Sequence, residues 1–378
     1  MALTKYKLGE LLQLEDERNS DGQYSLSDVK GISIQKKFIE TKADMQGVSL
    51  TPYILVKPDF FAYVTVTSRN GEKITLAHNT TNDTYICSSS YVVFRVSRPE
   101  ILNSDYLFIY FNRPEFDRYA RFNSWGSARE TFTWEDMCDI DIELPCLPIQ
   151  QKHVDVYQAM LANQKSYERG LEDLKLTCDA YIENLRRKIT CEPIGPYINQ
   201  KNDRNTDKSI DFVMGLSTKK EFREAQNRVN RNELGNYKIV NDGDFAFVPT
   251  TDTWKVLAFA LNQFGRDLVV SPIYEVFSVN KSKLLPEYLA IWLSRNEFDR
   301  YARFHSWGSA RENFSFEDMS KVRIPIPDMN IQKAIADIFR IYKERTSINE
   351  KLKTQLKDIC PILIKGSLEE ARREEAHG

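Results

Sequence analysis

Two stretches of this chain are nearly the same, and that repeat constrains the fold more than any other feature. Residues 116–137 read FDRYARFNSWGSARETFTWEDM and residues 298–319 read FDRYARFHSWGSARENFSFEDM, a shift of 182 without a gap. Of 22 positions 18 are identical, the exceptions being Asn123/His305, Thr131/Asn313, Thr133/Ser315 and Trp134/Phe316. Chance does not give such a match, and a repeat of this kind decides the architecture before any local reading. The match continues more weakly on both sides. Downstream, Ile142, Pro145, Ile149, Gln150 and Asp155 recur as Ile324, Pro327, Ile331, Gln332 and Asp337. Upstream, Tyr53–Val56 and Phe61–Tyr63 match Tyr237–Val240 and Phe245–Phe247 at a shift of 184. The chain is a tandem duplication in which each copy has a variable front and a preserved back.

The fronts carry short β-branched and aromatic runs. Tyr63-Val64-Thr65-Val66-Thr67 and Ile74-Thr75-Leu76-Ala77 are joined through Asn70-Gly71, a hairpin-turn signal. Tyr237–Val248 and Lys255–Leu261 hold comparable places in the second copy. The backs change period. From His153, alternate steps of four and three meet Tyr157, Met160, Gln164, Tyr167, Leu171, Leu174, Cys178, Tyr181 and Leu185. A second seam runs through Ile331, Ile335, Ile338, Tyr342, Arg345, Asn349, Leu352, Leu356, Ile359 and Leu363. This spacing predicts two paired helices of coiled-coil type, each about 54–60 Å long at about 1.5 Å per residue. The blander alternative is an amphipathic helix lying on its own domain. Pro148 and Asn330 mark the helix starts, and Pro361 is expected to kink the second helix or end it near Ile359. The expected fold class is mixed α/β (α+β). Two tandem globular domains, residues 1–148 and 191–330, are separated by two long antiparallel coiled-coil helices, residues 149–190 and 331–378 with the C-terminal tail, related by a pseudo-twofold axis.

Composition narrows the function classes. At 378 residues the prior is two or three domains, and 42% hydrophobic with 28% charged residues is the balance of a globular protein. No apolar run approaches the roughly 18 residues of a membrane helix. Met1–Lys7 lacks the apolar run that follows the basic start of a secretory signal. A cytoplasmic location without membrane contact is expected. The six cysteines, Cys87, Cys138, Cys146, Cys178, Cys191 and Cys360, show no Cys-x-x-Cys pair and read as reduced thiols, with no metal site. With 52 Lys+Arg against 54 Asp+Glu, the chain lacks the basic excess of a freely acting nucleic-acid binder.

The layout resembles the specificity subunit of Type I restriction–modification systems over essentially the entire chain. The turn and helix start common in that family appear as Ile142-Glu143-Leu144-Pro145 with Ile149-Gln150, and as Ile324-Pro325-Ile326-Pro327 with Ile331-Gln332. The family's Gly-Asp before aromatic residues is met by Gly243-Asp244-Phe245-Ala246-Phe247; in the first copy it has become Asp59-Phe60-Phe61-Ala62-Tyr63, without the glycine. The order of parts carries the resemblance more than any one motif. It implies that residues 1–148 and 191–330 are target-recognition domains, each reading one half of a bipartite, asymmetric site in double-stranded DNA, with the helices as a spacer. It implies no catalysis in this chain. Two modification subunits, adenine-N6 methyltransferases, and restriction subunits are the implied partners; S-adenosylmethionine, ATP and Mg are expected on those partners and no cofactor here. The missing basic excess then predicts weak, salt-sensitive DNA binding by the isolated chain and tight binding only in the complex.

DNA contacts are expected where the copies differ. In the second, Lys219, Lys220, Arg223, Asn227, Arg228 and Arg231 lie in a run interleaved with amides, which suits phosphate and base edges; a solvated helix face is the alternative. Lys36, Lys37, Arg69, Asn70 and Lys73 are the first copy's candidates, with Thr253 and Lys255 in the second copy's corresponding hairpin. Arg118, Arg121, Arg129 and Arg300, Arg303, Arg311 of the repeated block either pin each domain to the helices or form two equivalent partner surfaces, and gene conversion between copies also yields such identity. Trp125, Trp307 and the other aromatics of the block read as core.

Catalytic motifs are missing from the sequence: no Asn/Asp-Pro-Pro-aromatic motif of an adenine methyltransferase and no phosphate-binding Gly-x-x-x-x-Gly-Lys-Ser/Thr loop. His78 and His153 show no ligand or nucleophile cluster around them. Two other functions share these features: a coiled-coil protein-interaction scaffold without sequence reading, and a recognition subunit of another restriction or phage-defence complex.

Overall fold

Short apolar strands broken by turn residues build each front. The computed structural model describes residues 3–41, 43–68, 71, 73–127, 129–225, 231–250, 256–308 and 312–377. The first copy runs β1 (Thr4–Lys7), β2 (Leu12–Glu15), β3 (Lys30–Ile32), β4 (Phe38–Glu40), β5 (Ile54–Val56), β6 (Phe61–Val64), β7 (Leu76–His78), β8 (Tyr85–Cys87), β9 (Tyr91–Val96), α1 (Ser104–Phe111), α2 (Pro114–Phe122), α3 (Trp134–Cys138), β10 (Asp141–Leu144) and α4 (Leu147–Lys188). The second repeats this order: β11 (Cys191–Pro193), β12 (Ile198–Lys201), β13 (Met214–Leu216), β14 (Phe222–Glu224), β15 (Lys238–Val240), β16 (Phe245–Phe247), β17 (Phe259–Leu261), β18 (Leu268–Val270), β19 (Glu275–Val279), α5 (Pro286–Leu293), α6 (Asn296–Phe304), α7 (Phe316–Ser320), β20 (Arg323–Pro325) and α8 (Met329–His377).

Pairing is duplicated as well. An antiparallel sheet ordered β2-β9-β6-β7 is matched by β12-β19-β16-β17. The pairs β3·β4, β5·β8 and β1·β10 are matched by β13·β14, β15·β18 and β11·β20. Strand alternation explains why both faces of each sheet are covered. Phe61 and Tyr63 point with Phe94 into the main core beneath α1 and α2, while Ala62 and Val93 meet Ile54 and Val56 on the other face. Phe245, Phe247 and Phe277 against Ala246 and Val276 repeat the division. The hairpin announced by Asn70-Gly71 is β6·β7, with Tyr63 opposite Leu76.

The chain falls into two compact units, Met1–Tyr167 with Ile348–Gly378, and Glu168–Ser347. Each long helix contributes to both. Within the first unit α4 and α8 run antiparallel: Lys152 pairs with Glu370 at 2.6 Å, and the seam amides Gln164 and Asn349 share a buried hydrogen bond of 3.0 Å. Within the second, Ile182 and Leu185 of α4 share a core with Ile335 and Phe339 of α8. Tyr157, Met160, Tyr167, Leu171, Leu174 and Leu185 are buried or half-buried, as are Ile335, Ile338, Tyr342, Leu352, Leu356 and Ile359. Three expectations need correction. Tyr181 is exposed and Ile182 takes its place, so the inward steps from Leu171 run three, four, four, three, as in a stutter that relaxes the supercoil. Pro361 does not end α8, which continues to His377 with buried Cys360, Leu363, Ile364, Ser367 and Ala371 on its inward face; packing on both sides outweighs the one backbone hydrogen bond that proline removes. The cap of α8 is Asp328, whose carboxylate accepts from the N–H groups of Asn330 and Ile331, rather than Asn330.

A fully buried glutamine joins each long helix to its domain. Gln150 accepts from the Asn103 N–H at 2.9 Å and donates to the carbonyls of Ile101 and Pro145, both at 2.8 Å. Gln332 accepts from the Leu285 N–H and donates to the carbonyls of Lys283 and Pro327, each at 2.9 Å. Removing the amide strands three main-chain groups, among them the buried Pro145 or Pro327 carbonyl, and an unpaired buried group costs about 1–3 kcal/mol. Gln150→Ala or Gln332→Ala is therefore expected to destabilise its unit by about 3 kcal/mol. Calorimetry checks this, and a melting temperature within about 2 °C of wild type would contradict the clamp.

Candidate nucleic-acid interface

The β3·β4 hairpin is the first structure to test against the sequence candidates, because its turn holds Lys36 and Lys37. In this turn the Ser33 N–H donates to the Lys37 carbonyl and the Lys36 N–H to the Ser33 carbonyl. Lys36 adopts a left-handed backbone, φ 58°, which an L side chain rarely takes without compensation. The compensation is inward: Nζ lies 2.7 Å from Asp117 of α2, donates to the Phe111 carbonyl, and sits over the Phe116 ring. The second copy repeats the device. Lys220, φ 63°, places Nζ 2.9 Å from Asp299 and 2.9 Å from the Leu293 carbonyl, over Phe259 and Phe298. Burial pulls both lysine pKa values down against the pull of their aspartates. Lys36 and Lys220 are thus internal pins whose amines turn inward, a correction to their reading as DNA contacts; the second copy's run is a hairpin through Glu224, and not the solvated helix face that was the alternative there.

The residues around each pin do face solvent. Lys37, Lys73 and Lys219 are exposed, and the exposed turn positions Ile34, Gln35 and Lys37 correspond to Thr218, Lys219 and Glu221. Arg223 is half-buried and its Nε donates to the Leu216 carbonyl at 2.9 Å. Arg69, Asn70, Asn227, Arg228, Thr253 and Lys255 lie outside the described residues, as does the Arg231 side chain. Beside the second hairpin a groove of about 720 Å³ is lined by Phe222, Phe259 and Phe264 together with Lys333, Arg340 and Lys343. The three basic residues stand on α8 and were not among the sequence candidates.

In the repeated block the departure from expectation lies with the aromatic residues and not with the arginines. Arg118, Arg129 and Arg300 are exposed, and Arg311 lies outside the described residues. Arg118 pairs with Glu115 at 3.3 Å and Arg300 with Glu297 at 3.5 Å, while Arg121 pairs with Glu130 and Arg303 with Glu312. Phe116 and Phe298 are buried as core. Trp125 and Trp307, however, are 68% and 72% exposed, and Phe122 and Phe304 are 78% and 76% exposed.

His78 is not isolated. Its Nε2 lies 2.9 Å from Asp59 Oδ1 and its Nδ1 3.4 Å from Asp105 Oδ1, and the Ser104 hydroxyl donates to Asp59 at 2.8 Å. The hydroxyl meets the carboxylate rather than the imidazole, so no nucleophile and base are joined. Burial alone would lower the imidazole's pKa, but hydrogen bonds and charges of Asp105 and Asp59 outweigh it and hold it above the ordinary histidine value. Burial likewise opposes ionisation of Asp59, and the hydrogen bonds from His78 and Ser104 overcome it and lower its pKa. In the second copy Leu261 holds the corresponding register, opposite Phe245 as His78 is opposite Phe61. Among the described residues no three His, Cys, Asp or Glu side chains group as metal ligands, and no helix is long and apolar enough to cross a membrane.

The model of the Type I restriction modification DNA specificity domain matches residues 3–174 and 256–358, well over half of the chain. The chain belongs to that family. It is a DNA-recognition subunit of a Type I restriction–modification system without catalysis of its own, and it works with DNA and with other subunits of such a system. The S subunit of the Type I system of M. genitalium has the same fold, with 10% identity, 97% of this chain and 96% of that chain covered and a TM-score of 0.60. A structure on complex assembly and conformational transition of the type I system aligns at 13% identity, 97% coverage of both chains and TM-score 0.49. The HsdS subunit of Thermoanaerobacter tengcongensis aligns at 13% identity, 97% and 96% coverage and TM-score 0.39. Comparison with curated proteins gave no match.

Two measurements follow from this specificity subunit's geometry. Lys36→Ala, which strands a buried carboxylate, is expected to cost about 3 kcal/mol in its unit, whereas Lys37→Ala leaves thermal stability unchanged; equal melting temperatures would contradict the pin. The raised His78 pKa contributes stability fully below the ordinary histidine value, lost as pH rises through the raised one. The lowered Asp59 pKa contributes above the ordinary carboxylate value, lost as pH falls. The pair therefore stabilises most between about pH 4 and 6.5. The advantage of wild type over His78→Leu in thermal unfolding is expected to shrink as pH rises from that window, and a difference independent of pH would contradict the assignment.

Proposed function

We propose that the chain reads a bipartite, asymmetric site in double-stranded DNA, one half-site per target-recognition domain, and carries two adenine-N6 methyltransferase (modification) subunits to it. Restriction subunits join the same complex for translocation and cleavage. S-adenosylmethionine, ATP and Mg belong to those partners in this reading.

The observation that carries it is the hairpin turn present in both copies. Its frame is constant: the same hydrogen bonds, the same left-handed lysine, the same aspartate beneath. Its exposed residues differ, Ile34, Gln35 and Lys37 in one copy against Thr218, Lys219 and Glu221 in the other. A frame that holds changing side chains in a fixed pose suits base-edge reading, where specificity resides in residue type at a set position. Two such frames in one chain suit two unlike half-sites. The near-neutral charge, 52 Lys+Arg against 54 Asp+Glu, fits a subunit whose partners supply most of the phosphate contacts.

The test is an exchange. Replacing residues 191–330 with the matching segment of a second specificity subunit, and mapping methyladenine in cells that also make the modification subunit, should change one half-site and leave the other. Loss or change of both half-sites would overturn the two-reader model, and methylation without any sequence preference would favour a scaffold.

A further inference from the structure

The repeated block turns an aromatic face to solvent in each copy. Among its described residues in the first copy, the exposed ones are Arg118, Tyr119, Phe122, Trp125, Gly126, Ser127, Arg129 and Glu135, and every one is the same residue in the second copy. The four differences fall at Asn123, Thr131, Thr133 and Trp134, half-buried in the first copy; of their counterparts Asn313 and Ser315 are exposed, and none of the four is one of the large exposed aromatics. Packing alone leaves exposed positions free to change, yet Phe122, Trp125, Phe304 and Trp307 stay the same pair of aromatics in both copies. Large apolar side chains left in water together mark an interaction surface. The loop that carries the tryptophan is held in shape: Trp125 and Thr131 exchange backbone hydrogen bonds, and a Cβ on Gly126, φ +141°, would lie 2.2 Å from the Arg129 carbonyl oxygen.

Charge says what covers this face. The block from 116 to 137 holds Arg118, Arg121 and Arg129 against Asp117, Glu130, Glu135 and Asp136, and Arg118 and Arg121 already pair with Glu115 and Glu130. A phosphate-binding surface needs unneutralised positive charge. Exposed Trp, Tyr and Phe with paired Arg are instead the composition of protein interface centres. The same face in both copies fits one kind of partner bound twice.

We propose that the faces formed by Arg118, Tyr119, Phe122 and Trp125, and by Arg300, Tyr301, Phe304 and Trp307, are two equivalent docking sites for a single kind of protein subunit. Resting on the functional reading above, that subunit is the modification subunit, one per face.

The full chain, made together with its modification subunit, tests this. Wild type is expected to carry two modification subunits by native mass spectrometry. Phe122→Ser with Trp125→Ser, or Phe304→Ser with Trp307→Ser, should weaken binding of one subunit by on the order of tenfold or more, and all four changes should weaken both. Circular dichroism and the melting temperature should stay at wild-type values, and the conservative pair Phe122→Tyr with Trp125→Phe should keep most of the affinity. Unchanged affinity and stoichiometry in all variants overturns the proposal. So does loss of binding to a random-sequence DNA duplex with stoichiometry intact, which assigns the face to DNA, and so does loss of self-association alone, which assigns it to a second copy. If wild type itself carries no modification subunit, the recruitment reading fails and the docking sites fall with it.

Discussion

One buried amide at the start of each long helix holds this protein together. Gln150 and Gln332, themselves fully buried, each satisfy three main-chain groups. Those groups belong to the loop before the first domain helix and to the proline before the long one. The amide therefore sets the angle at which helix leaves domain, and every contact further along α4 and α8 inherits that angle. A hydrophobic side chain of the same size fills the space but leaves a donor and two acceptors unpaired, at a cost that packing does not return. This is the physical content of the Pro and Ile-Gln motifs that the two copies share.

The lysine pins act one step further out. A left-handed turn would ordinarily carry glycine, asparagine or aspartate. Here the strain is offset because that backbone aims a long cationic side chain back into the domain, onto an aspartate and a carbonyl. The hairpin is fastened from beneath, leaving its outer positions unconstrained by folding. The β-sheet behind it uses small residues, Ala62 and Ala246, where the hairpin layer packs close. The inward side of the hairpin carries its packing, and its outward side is left free for the reading proposed above.

Much of this was legible from residues alone. The duplication, the strand–hairpin alternation around Tyr63 and Leu76, and the two seams follow from periods of two and of three to four. What was not legible depended on contacts distant in sequence. Lys36 looks like a solvent-facing basic residue until Asp117 is brought beneath it, and nothing local announces its positive φ. Trp125 and Phe122 read as core because large aromatics usually are, and only the tertiary fold shows that Phe116 and Phe132 have already filled the interior. Pro361 read as a kink or an end of the helix because propensity is local, whereas Cys360, Leu363 and Ile364 hold the continuing helix from the core side. His78 gained its aspartates from a neighbouring loop and a helix start that no spacing rule connects.

The pins also bear on how such proteins change over generations. Lys36 and Lys220 reach a main-chain carbonyl and an aspartate that belong to the preserved back, and each glutamine grips backbone atoms rather than particular side chains. The joint between front and back is thus a socket with few sequence demands: a lysine at the left-handed turn and a chain that arrives at the right place. A front of foreign origin that meets those demands seats without any adjustment in the back. Exchange of one front for another that keeps the lysine turn leaves every contact of the back in place.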